Sequence, residues 1–127
     1  GIKIGAPIHR LIIHDWSKFL PSEFLGYCNW GFNKNKGKTY PSYSVNFHQK
    51  RNKHHWQYWQ FIKENGCMEF LEIPDKYIRE MIADWSGSGK AKHGNWDIKS
   101  WYNKNKYIIQ LNRKSRKKIE ELIKKYF

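Results

Sequence analysis

Histidine and aspartate side chains stand at several points of this sequence directly beside aromatic or apolar residues. The candidate donors are His14, Asp15, His48, His54, His55 and Asp84. Neutral imidazole nitrogens and carboxylate oxygens are ligands that divalent metals take in proteins. Because their neighbours are apolar, we expect these donors to lie inside a folded domain. The pattern predicts a divalent-metal site held by helices, with hydrolytic chemistry at that site.

A divalent ion would also account for other residue types near these donors. Such an ion lowers the pKa of a water molecule and polarises a phosphoryl oxygen, and basic side chains balance the charge that develops. We therefore expect Lys18 and Arg51 to contact phosphate, with Trp56 beside the substrate. Glu23 and Asp15 are the expected catalytic residues, although Glu23 also fits a further ligand or a first-turn helix acid.

Most of the candidate donors are predicted to bind the metal directly. The predicted ligands are His14, Asp15, His48, His55 and Asp84, with His54 ranked below them. Each residue type has a plainer alternative. The aspartates would also fit caps of loops or ion pairs with Arg10 or Arg79, and His55 would also fit a hydrogen-bonded core histidine. The pattern leaves Mn, Fe, Zn, Ni and Mg open as the ion.

Length and apolar content restrict the class of protein. A chain of 127 residues is expected to form one domain, and 17% aromatic residues exclude a disordered chain. No apolar run approaches the roughly 20 residues of a membrane span, so we expect no membrane partner. Cys28 and Cys67 lie far apart without a CxxC spacing, which predicts reduced thiols in a cytoplasmic protein, with a single disulfide between them as the alternative.

The net charge of +13 indicates an anionic partner. A phosphorylated small molecule or nucleotide is the expected partner, and nucleic acid is a further candidate. Many lysines alternate with asparagine, as in residues 33–36. Because lysine and asparagine codons are rich in A and T, genome composition is an alternative source of part of this charge. The sequence predicts no oligomeric state.

Apolar spacing predicts helices joined by polar connections. One helix follows Pro7 and carries Asp15 on its inward face, and residues 31–42 are expected to form a loop. A long helix is expected from near Ser42 to Asn65-Gly66, with a break at Asn52-Lys53 as the alternative. In it His48 and His55 would share a face, because seven residues are close to two full turns.

The C-terminal third is also predicted to be helical, apart from a flexible loop at Ser86–Lys90. Asp84 shares a helix face with Glu80. Helix starts are expected at Pro21, Pro74, Trp96 and Asn112. Because no strand pattern is visible, we predict an all-α, compact single-domain helical bundle over residues 1–127.

The order of these motifs resembles the HD superfamily of metal-dependent phosphohydrolases, which are all-helical and carry the ligand pattern H…HD…D. More closely, the chain resembles an uncharacterised family of bacteria and their phages with HDxSKF, HxxxNxHHWxYW and EMxADW blocks. The matching segments here are residues 14–19, 48–59 and 80–85. The resemblance implies an HD-domain-like architecture and a bacterial or phage origin, with the host cytoplasm as the location of a phage protein.

The chain departs from the HD pattern at its first ligand, a histidine on a helix before the HD pair. Only 13 residues precede His14, and His9 is turned from it by about 140° in a regular helix. Either a helix that bears this ligand is absent, or His48 and His55 replace it. The first hypothesis is a metal-dependent phosphohydrolase acting on a nucleotide or other phosphate ester. The alternatives are a non-catalytic protein that sequesters a nucleotide and, ranked last, a basic nucleic-acid-binding protein.

Overall fold

The computed structural model describes residues 2–33, 41–94 and 96–127, apart from the side chain of residue 33. This part of the chain is mostly helical. Its helices are α1 (Ile8–Ile13), α2 (Pro21–Asn33), α3 (Ser42–Arg51), α4 (Asp75–His93), α5 (Ile98–Asn105) and α6 (Arg113–Tyr126). Short 3₁₀ turns lie at Ile2–Ile4, Trp16–Phe19 and Trp56–Trp59, and two strands at β1 (Gln60–Ile62) and β2 (Met68–Phe70). None of the described helices has the length and apolar character needed to cross a membrane.

The hydrophobic core lies where α4 packs against α1, α5 and α6. Ile78, Met81 and Ile82 of α4 are at most 1% exposed. Their spacing of three and four residues places them on one helix face, and Ile119 of α6 lies against them with no exposed surface. Since α4 also carries Glu80 and Asp84, the core fixes the position of these two carboxylates.

The second part of the fold is the pair α2 and α3, which packs against the 3₁₀ turn Trp16–Phe19. The two helices approach closely at Gly26, where an added Cβ atom would lie 1.9 Å from the Oγ atom of Ser44. Because Glu23 precedes Gly26 by one turn and His48 follows Ser44 by one turn, this close approach holds Glu23 against His48.

Several predicted helix boundaries are confirmed, and they coincide with proline or capping residues. The helix α2 begins at Pro21, and α4 begins immediately after Pro74. Asn112 caps α6 through its side-chain oxygen, which accepts a hydrogen bond from the Lys114 backbone amide. Cys28 and Cys67 are free thiols, as predicted.

The predicted loop at Ser86–Lys90 is wrong, since α4 continues through it to His93. Gly89 is buried there, and a Cβ atom would lie 2.1 Å from the Cε2 atom of Trp96. This glycine therefore serves close packing within a helix. The predicted loop at residues 31–42 is also partly wrong, because Gly31 lies in α2 and Ser42 begins α3. Its middle lies outside the described residues.

The predicted long helix from Ser42 is wrong as well. The helix α3 ends at Arg51 because the backbone of Asn52 is extended, with φ −103° and ψ 114°. The strands β1 and β2 then pair antiparallel on either side of Asn65-Gly66, where Gly66 adopts φ +81°. An Asn-Gly pair is a strong signal for a hairpin, so the expectation of an all-α chain without strands needs this correction.

The contact between α2 and α3 can be tested with two glycines of the same helix. We expect Gly26→Ala to lower the free energy of unfolding by about 1–2 kcal/mol, because the added methyl group overpacks the contact with Ser44. Gly31→Ala is the matched control, since no atom of the described residues lies within 4 Å of its added Cβ atom. It is expected to be neutral or to stabilise by up to about 1 kcal/mol. Equal urea midpoints for the two variants would contradict the packing described.

Candidate metal centre

The first donors lie where the chain leaves α1. His14 follows the last residue of α1, and Asp15 has φ −106° and ψ 15°, outside the helical region. Neighbouring side chains of a regular helix diverge by about 100°, but this constraint ends with the helix. The helix predicted after Pro7 therefore ends before Asp15 and does not carry it on its inward face, and the Nε2 atom of His14 lies 3.4 Å from Oδ2 of Asp15.

The remaining imidazoles come from α3 and from the segment that follows it. His48 lies in the last turn of α3, and the chain turns back after Asn52. The ring centroids of His54 and His55 consequently lie 6.0 Å and 4.7 Å from that of His48. The prediction that His48 and His55 share one helix face is wrong. The two meet because the helix ends between them, and the same turn brings in His54.

One carboxylate and three imidazoles meet at a single point. The donors are Asp15, His48, His54 and His55, whose potential ligand atoms all lie within 4.8 Å of one another. Bonds of about 2.0–2.2 Å to one ion place its ligand atoms roughly 3–4 Å apart. Small movements of the side chains would therefore suffice to bind a divalent ion.

Unpaired polar atoms indicate that this group fits a cation. The Nε2 atoms of His54 and His55 are buried, and neither has a hydrogen-bond partner in the described part of the chain. A buried polar atom without a partner costs free energy. A metal ion at the centre would accept the lone pair of each nitrogen and remove this cost.

The partners of His48 lead to the same conclusion. Its Nδ1 atom lies 3.0 Å from Oε2 of Glu23, and its Nε2 atom lies 3.2 Å from Oδ1 of Asp15. We assign the proton of the neutral ring to Nδ1, which donates to Glu23. The lone pair of Nε2 then faces a carboxylate oxygen, an arrangement that a cation between them would stabilise.

Buried carboxylates stand behind two of the imidazoles. Glu23 has no exposed surface, and it accepts hydrogen bonds from His48, from Ser17 at 2.9 Å and from Arg51 at 2.9 Å. A histidine that binds a metal through one ring nitrogen commonly donates a hydrogen bond from the other ring nitrogen to such a carboxylate. This bond fixes the orientation of the ring. The structure therefore places Glu23 behind His48, and its predicted catalytic role stays a prediction.

Glu80 is the second buried carboxylate, and the sequence analysis did not identify it as a site residue. It is 2% exposed, lies 3.4 Å from Nδ1 of His54 and accepts a 2.6 Å hydrogen bond from Arg10. The signal available in the sequence was its place one turn before Asp84 on the same face of α4. Arg51–Glu23–His48 and Arg10–Glu80–His54 are therefore equivalent chains of contacts.

His14 and Asp84 lie beside the four-residue group, on the other side of Asp15. The Nδ1 atom of His14 is 2.9 Å from the carbonyl oxygen of Leu11. Since a carbonyl only accepts, Nδ1 carries the proton and Nε2 presents its lone pair. That atom is 3.8 Å from Oδ1 of Asp84. Of the two predicted ligands, His14 adjoins the group through Asp15 and Asp84 adjoins His14, but neither belongs to the four residues whose ligand atoms converge.

Asp15 and His55 are held in the protonation states that a metal requires. Burial raises the pKa of Asp15, but its contacts with His48 and Lys18 and the positive charge of Lys18 outweigh burial and keep this pKa well below its usual range. Burial, followed by repulsion from His54 and His48, lowers the pKa of His55 to about 2. Metal ligands must be ionised carboxylates or neutral imidazoles, and both conditions hold at neutral pH.

The predicted substrate residues have different surroundings. Lys18 pairs with Asp15 at 2.5 Å. Arg51 lines a cleft of about 200 Å³ that reaches the site at His14 and His54. Trp56 packs against the hydrophobic core and does not line this cleft.

Nearly the whole chain matches one family of proteins. Residues 1–125 match the model of a family described as "Family of unknown function (DUF5662)", and the chain belongs to that family. No curated protein and no solved structure matches the chain. Because the family has no described activity, the chemistry of the site rests on its geometry.

The role of Glu23 can be tested through metal affinity. We expect Glu23→Gln to weaken the binding of Mn²⁺ or Zn²⁺ by about 10–100-fold in calorimetric titrations, because His48 loses its charged orienting partner. Glu64→Gln, which changes an exposed acid of the hairpin, is the control and should bind as the wild type does. Unchanged affinity in a folded Glu23→Gln variant would contradict the orienting role.

The low pKa of His55 predicts a pH dependence for the metal-free protein. Below about pH 6.5 the unfolded chain protonates this ring, whereas the folded chain does not until the pH approaches about 2. The unfolded state then binds more protons. The free energy of unfolding therefore decreases as the pH falls, by up to about 1 kcal/mol per pH unit.

Urea unfolding in the presence of a chelator measures this dependence. The His55→Asn variant lacks the titrating ring and should lose less stability than the wild type between about pH 7 and 5. The other charged groups face the site in both proteins and contribute equally to the pH dependence of the two. These groups are His54, His48, Asp15 and Lys18. Identical slopes for the two proteins would show that His55 does not stay neutral in the fold.

Proposed function

We propose that this member of the family is a metal-dependent phosphohydrolase with an HD-domain-like architecture, acting on a nucleotide or another phosphate ester. The observation that carries the proposal is the convergence of Asp15 with three imidazoles, of which His54 and His55 present buried unpaired nitrogens. Such a donor set has no evident structural purpose without a cation, because each unpaired nitrogen destabilises the fold.

The donor types narrow the choice of ion. Imidazole nitrogens suit Zn, Fe, Ni and Mn better than Mg, which prefers oxygen ligands and retains its waters. We assign Asp15, His48, His54 and His55 as ligands, with His14 and Asp84 completing the rim. A divalent ion bound here would lower the pKa of a water molecule and polarise a phosphoryl oxygen.

The side chains around the ligands supply the remaining functions. We assign Glu23 to orienting His48, because it is fully buried and its oxygens are already hydrogen-bonded. Asp84 is the better proton-transfer group, since its side chain is 22% exposed at the rim beside His14. Lys18 offsets the charge of Asp15, and Arg51 lines the cleft with its own charge paired to Glu23.

A second candidate function is nucleotide binding without turnover. The burial of Glu23 favours it, because this acid cannot reach a substrate without movement of α2 and α3. The cleft and its cations would serve a sequestering protein equally well. This alternative predicts a bound ligand that is recovered unchanged.

Phosphate release distinguishes these functions. The chain loaded with Mn²⁺ or Zn²⁺ should release phosphate from p-nitrophenyl phosphate or from a panel of nucleotides, and chelation should abolish the release. His55→Asn should lower kcat/KM by about 100-fold or more, since loss of a ligand exceeds the loss of an outer partner.

His93→Asn is the matched control, because His93 is an exposed histidine at the end of α4. It should retain full activity. Recovery of intact, tightly bound nucleotide without product would contradict the hydrolase and support the function of binding without turnover. Absence of both metal binding and nucleotide binding would contradict both candidates.

A further inference from the structure

The cleft beside the metal centre combines positive charge with exposed apolar surface. Its lining includes three basic residues, Arg10, Arg51 and Lys53, and two apolar residues, Ile13 and Trp16. Its floor is formed where His14 and His54 reach the candidate metal site. A ligand held there would therefore lie against the proposed reaction centre.

The basic residues differ in how far their charge is already neutralised. Arg10 pairs with Glu80 at 2.6 Å, and Arg51 pairs with Glu23 at 2.9 Å. Lys53 is exposed and forms no ion pair with any acidic residue in the described ranges. The uncompensated positive charge of the cleft therefore belongs to Lys53.

The two apolar side chains of the cleft are largely exposed. Ile13 is 55% exposed and Trp16 is 57% exposed. A tryptophan ring at the wall of a polar cleft offers a flat surface on which a planar ring can stack. Trp56, the predicted substrate residue, has no such position because it packs on the core.

A second opening on the other side of His14 has the opposite character. This groove of about 450 Å³ is lined by Asp15 and Asp84, which do not line the Lys53 cleft, together with small residues of α4 and with Glu80, which lines both openings. Within the described ranges its lining contains no lysine or arginine. Since an anion is repelled by these carboxylates, a phosphate group would reach the centre through the cleft of Lys53.

We infer that the Lys53 cleft binds a phosphate group attached to a planar ring, as in a nucleoside monophosphate. Lys53 contacts the phosphate and Trp16 stacks on the base. The cleft of about 200 Å³ is smaller than pockets that enclose a whole drug-sized ligand, about 300–1,000 Å³. It holds the phosphate and sugar, so the base lies at the rim over Trp16. This inference rests on the proposed metal centre and specifies its ligand.

Binding of analogues that resist hydrolysis tests this assignment. The full chain loaded with Mn²⁺ is titrated calorimetrically with a phosphonate analogue of adenosine monophosphate and with the same analogue lacking the base. We expect the adenosine analogue to bind about tenfold more tightly, because stacking on a tryptophan contributes to its affinity.

Two pairs of variants separate the roles. Trp16→Ala should abolish the preference for the base and leave the affinity of the analogue without a base unchanged. Its control is Phe19→Ala, because Phe19 is 82% exposed in the same 3₁₀ turn but does not line the cleft. Lys53→Met should weaken both analogues about tenfold through loss of a charge-assisted contact, whereas Lys124→Met should weaken neither.

The outcomes keep this inference distinct from the proposed hydrolase. Equal affinities for the two analogues, an unchanged Trp16→Ala variant, an unchanged Lys53→Met variant or failure to bind either analogue would overturn the inference. The expected binding pattern in a protein that releases no phosphate would overturn the hydrolase and support the inference. Phosphate release by a protein that shows no preference for the base would support the hydrolase and overturn the inference.

Discussion

The fold of this chain brings several lone pairs to face one another around the carboxylate of Asp15. One imidazole nitrogen stands 3.2 Å from one of its oxygens, and another stands 3.4 Å from the second. Electron pairs at such distances repel unless a proton or a cation lies between them. The buried nitrogens of His54 and His55, which have no partner in the described chain, add to this demand for positive charge. A divalent ion would satisfy all of these atoms at once.

Two buried carboxylates, Glu23 and Glu80, hold histidines of the site in position. Glu23 and Glu80 lie in separate helices, and each accepts one contact from an arginine and one from a histidine of the site. The close packing of α2 on α3 sets the first chain of contacts, and the core around α4 sets the second. Their burial makes the carboxylates rigid, which suits groups that orient ligands better than groups that exchange protons with a substrate.

The sequence predicted the helix starts well, because proline and capping residues act locally, as at Pro21 and Asn112. It also selected the residue types that meet at the site. Predictions from the sequence were wrong where tertiary structure overrides a local pattern. Gly89 stays helical where it packs on Trp96. Apolar spacing favoured a long helix from Ser42, but α3 ends at Arg51, at the break that the sequence offered only as the alternative. Glu80 escaped notice because its partners, Arg10 and His54, are distant in the chain.

A crystal structure of the chain grown with Mn²⁺ or Zn²⁺, with anomalous scattering recorded at the edge of that metal, tests the central claim directly. The account predicts an anomalous peak about 2.0–2.3 Å from a carboxylate oxygen of Asp15 and from one nitrogen each of His48, His54 and His55. A metal-saturated crystal with no peak there, and with ordered waters bonded to the buried imidazole nitrogens instead, would contradict it.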